Sequence, residues 1–186
     1  MNRTDILLAI IAAAEGMQLQ PVHLQKVAFL VGQEFERDLP EDYYDFDKYR
    51  YGPFSAQVYA DADLLEYWGL IEIHWHSQHS KRAYTVTDRH VIEELKIPEH
   101  VLTYIRETVA WACRQSFQEL VRSIYYLFPE YQENSIFKYS EDEAFTESFI
   151  RGINDYKEGR TFPAREWLEK LRRELETEQN ADTAVR

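Results

Sequence analysis

The stretch LIEIHWHSQHSKRAYTVT, residues 70–87, most constrains what this chain can fold into. LIEIHW alternates apolar and polar residues as a half-buried strand does, AYTVT repeats the pattern, and Ser77 to Lys81 supplies a turn. Ile71, Ile73 and Trp75 then share one face, and Glu72, His74 and His76 the opposite, solvated one. The segments before this hairpin read as three helices. Thr4 to Glu15 is predicted helical, capped by Thr4 or Asp5, with Gly16 as its stop. Pro21 starts a second helix, whose apolar surface comes from Leu24, Val27, Phe29, Leu30 and Phe35. A third is expected from Phe54 to Trp68, burying Val58, Leu64, Leu65 and Trp68, with Gly69 at its end. Three helices followed by a hairpin is the order of a winged helix-turn-helix, and it puts the histidines in the wing.

Between the second and third helices lies LPEDYYDFDKYRYGP, residues 39–53, aromatic, acidic and turn-rich. So many tyrosines are costly to leave loose in water, so an ordered loop or short strand is expected there. After the hairpin the chain is predicted mainly helical. Pro98 opens a long pattern from Val101 to Leu127, with a break near Arg114 to Ser116, and Pro129 ends it. From Asp142 the pattern resumes: Phe145, Phe149, Ile153 and Tyr156 lie on or near one helical stripe, Gly159 caps, and Pro163 restarts a helix with Leu168, Leu171 and Leu175. The expected fold class is mainly α with a small β-hairpin, a winged-helix-like core followed by a helical C-terminal segment. Its expected parts are a domain at 1–140, a helical segment at 141–178 and a fraying tail at 179–186.

Composition narrows the chemistry. With 186 residues the chain can bury a proper core, and its 45% apolar and 15% aromatic content marks a folded protein. The net charge of −12 opposes non-specific binding to nucleic acid or an anionic membrane. A lone cysteine, Cys113, supplies neither a disulfide framework nor a thiolate zinc cluster. The apolar run Ile6 to Ala14 is too short to span a bilayer, and MNRTD lacks a positively charged leader, so a cytoplasmic protein is expected.

His74, His76 and His79 are the candidate metal ligands; no carboxylate or cysteine holds a firm third position, so no metal and no cofactor are expected. The carboxylates of EDYYDFD follow no regular ligand spacing either. No glycine-rich phosphate loop, nucleophile elbow or HExxH pattern occurs, so the chain is not expected to be an enzyme. Cys113 beside Trp111 reads as a small buried hydrophobe, and His23 and His90 as helix caps or surface groups. DNA reading is disfavoured as well. The third helix carries Asp61, Asp63 and Glu66, has no lysine or arginine, and offers only Gln57 for bidentate base contact; Lys81 and Arg82 on the wing do not offset this.

Partner binding is the remaining class. The acidic balance suits a basic protein, because complementary charge speeds association and favours the right complex. Short amphipathic pieces hinged at Gly159–Pro163 suit docking into grooves.

LQKVAFLV (residues 24–31) followed by YRYGPFSAQVYADADLLEYWGLIE (residues 49–72) resembles the signature of the Panacea domain of SocA-like antitoxins and GepA-type phage-associated proteins, with related patterns in YwgA-like proteins. LVRSIYYLFPEYQENS (residues 120–135) is similar to a later helix and Pro-Glu turn of the same family, so the resemblance spans residues 1–135. Phe149 to Leu175, FIRGINDYKEGRTFPAREWLEKLRREL, is similar to the toxin-binding tails of ParD-, RelB- and Phd-like antitoxins. The resemblance implies a bacterial or phage antitoxin that neutralises a cognate, basic toxin by direct contact, or that acts as an adaptor delivering it to a protease. On that reading Phe149, Ile153, Tyr156, Arg160, Phe162, Trp167, Leu168, Leu171 and Leu175 contact the toxin. Tyr51, Gly52, Pro53 and Phe54 are the signature turn, expected to shape the core. The alternative is a winged-helix DNA-binding transcriptional regulator. No membrane partner is expected.

Overall fold

The computed structural model describes residues 2–14, 16–76, 81–88 and 90–137, with the side chains of His76, Lys81 and Ile92 excepted. The chain divides into two units, Met1–Lys138 and Tyr139–Arg186. The second, with the predicted helical segment at 141–178 and the tail at 179–186, lies outside the described residues.

The described unit is a mixed α/β arrangement in which helix predominates. Its first helix, α1 (Arg3–Ala13), is its centre, and Ile6 through Ala12 are all buried. A helix apolar on every side needs partners on every side. These come from α2 (Pro21–Glu34), α3 (Ala56–Tyr67), α5 (Glu99–Ala112) and the second strand of the hairpin. The cap of α1 corrects the expectation of Thr4 or Asp5. Asn2 is the cap: its Oδ1 accepts from the Asp5 amide at 2.8 Å, and Asp5 Oδ2 accepts from the Asn2 amide at 2.9 Å. Asp5 is the returning arm of this capping box. Helix α2 starts at Pro21 as predicted, and His23, buried in its first turn, accepts from the Gln20 amide through Nδ1.

Of the two forms expected between α2 and α3, an ordered loop or a short strand, the structure has short strand. Strands β1 (Asp47–Tyr49) and β2 (Gly52–Phe54) form an antiparallel hairpin with Lys48 opposite Pro53. The tyrosines before it are tied down: Tyr44 is buried, and the Tyr43 hydroxyl donates to the Ala28 carbonyl at 2.8 Å.

Helix α3 buries Val58, Asp61, Ala62 and Leu65. That stripe keeps two of the predicted core residues, Val58 and Leu65, and replaces the other two. Leu64 and Trp68 are exposed, because the stripe at spacings of three and four leaves them beside it. After Gly69 comes the predicted hairpin, β3 (Ile71–His76) with β4 (Lys81–Val86), Ile73 opposite Tyr84. Ile71 is buried and Ile73 half-buried, but Trp75 extends past the core and is exposed. On its outer edge β4 receives one further partner: the Tyr84 amide donates to the carbonyl of Leu19, in the link between α1 and α2.

Helix α4 (Val91–Glu94) is a single turn. The predicted long helix is broken where expected, into α5 and α6 (Phe117–Leu127), with Ser116 and Glu119 forming a capping box at the restart. A 3-10 turn at Pro129–Gln132 follows. It completes a second core in which Phe29 meets Phe46, Phe128 and Tyr131 edge to face at 5.3, 4.8 and 4.9 Å. No described helix is long and apolar enough to cross a membrane.

Candidate functional site

Two places in the described unit hold more chemistry than packing requires. The first is the signature turn. Gly52 has φ of 89°, a conformation that an L side chain rarely adopts, and a β-carbon there would lie 3.1 Å from the Tyr125 ring and 3.5 Å from Lys26 Nζ. The bare glycine lets Lys26, on the buried face of α2, reach the Pro53 carbonyl at 2.8 Å. Burial pulls the Lys26 amine down to about 7 from its usual 10.5, because the charged form has lost its water. Its neighbour Gln25 bonds Ser55 twice: Nε2 donates to the Ser55 carbonyl at 2.8 Å, and Oε1 accepts from the Ser55 amide at 2.9 Å. The motifs LQKVAFLV and YGPFS are thus bonded to one another, and α3 begins from a backbone that α2 holds. Gly52 and Pro53 are buried, as expected of residues that shape a core turn. Tyr51 is exposed against Phe117 at 5.0 Å and Phe137 at 5.8 Å, while Phe54 lies half-buried between Tyr49 and Tyr59.

The second place is the outer surface of α3 and the β3–β4 hairpin. Arg82, the wing cation with a described side chain, donates to Asp63 at 3.3 Å and stacks over the Trp75 ring at 4.6 Å. Asp63 thus ties β4 to α3. Glu66, one turn further along, accepts from the Ile73 amide at 3.1 Å and caps the free edge of β3. His74 bonds Thr85 at 2.8 Å and lies 3.5 Å from Glu72. Among the described residues, no group of three histidines, cysteines or carboxylates is placed to hold a metal ion; His79 lies outside them.

Behind α3 sits an ionic knot absent from the sequence reading. Asp61, almost fully buried, accepts from Arg3 Nε at 2.7 Å, from the Tyr44 hydroxyl at 3.0 Å and from Gln57 Nε2 at 3.1 Å. The bond to Asp61 raises the Arg3 pKa, and burial first, then the Asp61 charge, raises that of Tyr44. Gln57, the one base-reading candidate, is therefore engaged with Asp61. The Cys113 thiol is pushed up to about 11 by burial. The exposed His90 pairs with Glu93, whose bond raises its pKa.

Phe149, Ile153, Tyr156, Arg160, Phe162, Trp167, Leu168, Leu171 and Leu175 all lie outside the described residues. Sequence reasoning missed Gln25, Lys26 and Asp61 as anchors. A lysine inside the apolar run LQKVAFLV is the one signal that pointed to any of them. A scan against protein-family models finds no match for this chain, and a search of curated proteins finds no significant one.

Proposed function

We propose that the chain is an antitoxin that neutralises a cognate toxin by direct protein contact, built on a winged-helix-like core. The observation that carries this reading is the state of the surface a winged helix turns toward DNA. Asp63 and Glu66 are exposed there, bonded to Arg82 and to the Ile73 amide, and Arg82 is already committed to Asp63 and Trp75. A polyanion meets carboxylates on that surface, whereas a cationic protein meets complementary charge. The winged-helix reading is supported by the order α1, Leu19 bridge, α2, α3, β3, β4, in which the Leu19 segment lies against the outer edge of β4. The hairpin β1–β2 is then an insertion between the second and third helices. The Panacea resemblance is supported by the bonding of its two motifs through Gln25 and Lys26. On this reading the residues from Phe149 to Leu175 provide a toxin-binding tail, as direct inhibitor or as adaptor to a protease.

The test is co-purification of the tagged full-length protein from its host, with a salt wash and mass spectrometry of what stays bound. A small, basic, stoichiometric partner is the expected result, and its toxicity in cells should be relieved by this chain. Recovery of DNA in place of protein would favour the transcriptional regulator. A chain ending after Lys138 then tests the tail: it should stay folded and lose protection. Full protection by the shortened chain would move the interface onto the core.

A further inference from the structure

We infer that the outer surface of α3 and the β3–β4 hairpin is a docking face for a cationic, amphipathic segment of a partner protein. This deepens the antitoxin reading by assigning the described core a contact face of its own. The face is built from aromatic side chains that the fold does not use. Tyr67 is 85% exposed, Trp68 54%, Trp75 62% and Leu64 37%. Leu64, Tyr67 and Trp68 stand at spacings of three and four on α3, so they form one continuous strip. Trp75, on the hairpin, is tied to the same helix by Arg82, which stacks on its ring and bonds Asp63, four residues before Tyr67. Scattered exposed apolar residues need no explanation, but two tryptophans and a tyrosine linked across two elements form a patch. Tryptophan and tyrosine are also the side chains on which interface energy concentrates.

Charge identifies the occupant. Residues 56–86 carry Asp61, Asp63, Glu66 and Glu72 against Lys81 and Arg82. Asp61 is buried and bonded, so the carboxylates at the surface are Asp63, Glu66 and Glu72. Asp63 neutralises Arg82; set against Lys81, Glu66 and Glu72 leave an excess of one negative charge, with Glu66 on α3 beside the aromatic strip and Glu72 on the hairpin face opposite Trp75. In a chain of net charge −12, a second copy of itself would meet like charge. A partner segment with lysine or arginine flanking apolar residues meets both features at once: cation over tryptophan or tyrosine, and cation against carboxylate.

The test uses the full-length protein and a fluorescently labelled 14-residue amphipathic peptide of leucine and lysine, followed by anisotropy at moderate salt. The wild type should bind it, and Tyr67→Ser/Trp68→Ser should bind at least about tenfold more weakly, with an unchanged circular dichroism spectrum. A lysine-only peptide of equal charge should also bind at least about tenfold more weakly, since it lacks the apolar half. Equal binding by wild type and variant would overturn the inference, because the peptide would then sit elsewhere. Equal binding of the two peptides would reduce the face to simple charge attraction and overturn it as well. Concentration-dependent self-association of the wild type, abolished by the double substitution, would assign the patch to a second copy. Each of these outcomes is independent of whether a toxin is recovered, so the antitoxin reading and the docking face fail separately.

Discussion

Lys26 Nζ donates to the Pro53 carbonyl at 2.8 Å from a position with almost no solvent exposure. A buried amine is costly when charged, and here one carbonyl stands in for its lost hydration shell. The relationship spans 27 residues and joins the middle of α2 to the last strand before α3.

Stability should therefore depend on pH through this side chain. In the fold Lys26 keeps its proton only below about pH 7, whereas in the unfolded chain it does so up to about pH 10.5. Between those values the unfolded state binds more protons, so stability rises with pH across the window and reaches its lower plateau below pH 7. Lys26→Met has no such proton to lose. Denaturant unfolding of both proteins from pH 6.5 to pH 10 should show the wild type gaining on the variant. Parallel curves would mean that the amine is charged in the fold.

Gly52→Ala should destabilise in two ways, by forcing a side chain to φ of 89° and by pressing its methyl on the Tyr125 ring. Backbone strain of this kind costs about 1–3 kcal/mol. Gly69→Ala is the control, since φ there is 73° and a β-carbon would meet nothing within 4 Å. Urea midpoints should fall further for Gly52→Ala than for Gly69→Ala; equal losses would remove the crowding argument.

Asp61→Asn leaves the volume of the ionic knot intact but removes its charge and turns one of the two acceptor oxygens into a donor, set either against Arg3 and Tyr44 or against Gln57. A loss of about 2–3 kcal/mol is expected. Tyr44→Phe, which deletes one donor, should cost about 1 kcal/mol. Because both touch the same carboxylate oxygen, the double variant should lose less than the two single losses combined. Strict additivity would show that the loss at Tyr44 does not depend on the Asp61 charge.

Cys113 should be chemically quiet. With its thiol pushed up to about 11, roughly a thousandth is thiolate at pH 8, and the thiolate is the reactive form. Iodoacetamide labelling of the folded protein should be at least about a hundredfold slower than that of a small free thiol. Comparable rates would indicate that the α5–α6 turn opens readily.

Much of the helical frame was legible because it obeys periodic rules. The Pro21 start of α2, the interruption before Ser116 and the hairpin after Gly69 each carry a local signal that tertiary contacts did not override. For β1–β2 the tyrosine-rich composition signalled order, an ordered loop or short strand, but not the hairpin pairing, since three-residue strands are too short to alternate visibly. The Leu19 bridge is a single residue and has no period at all. On α3, composition misled in both directions. Asp61 reads as one more surface acid until Arg3, from the first turn of α1, arrives to bury it. Leu64 and Trp68 read as core until the stripe through Val58, Ala62 and Leu65 leaves them outside. That misreading is itself informative, because apolar residues excluded from the core are what a docking surface is made of. The tail residues Phe149 to Leu175 lie beyond the described structure, so their role rests on sequence pattern.

The paired bonds between Gln25 and Ser55 give the molecule a mechanical property. The side-chain hydroxyl of Ser55 makes no capping bond to α3, so the first turn of that helix is anchored crosswise, by an amide on a neighbouring helix. Two bonds of opposite polarity from one planar group resist both sliding and rotation. Together with the bonds of Asp61 to Arg3 and of Asp63 to Arg82, this splint fixes α3 at its start and along its length, so the helix can shift only if α1, α2 and β4 shift with it.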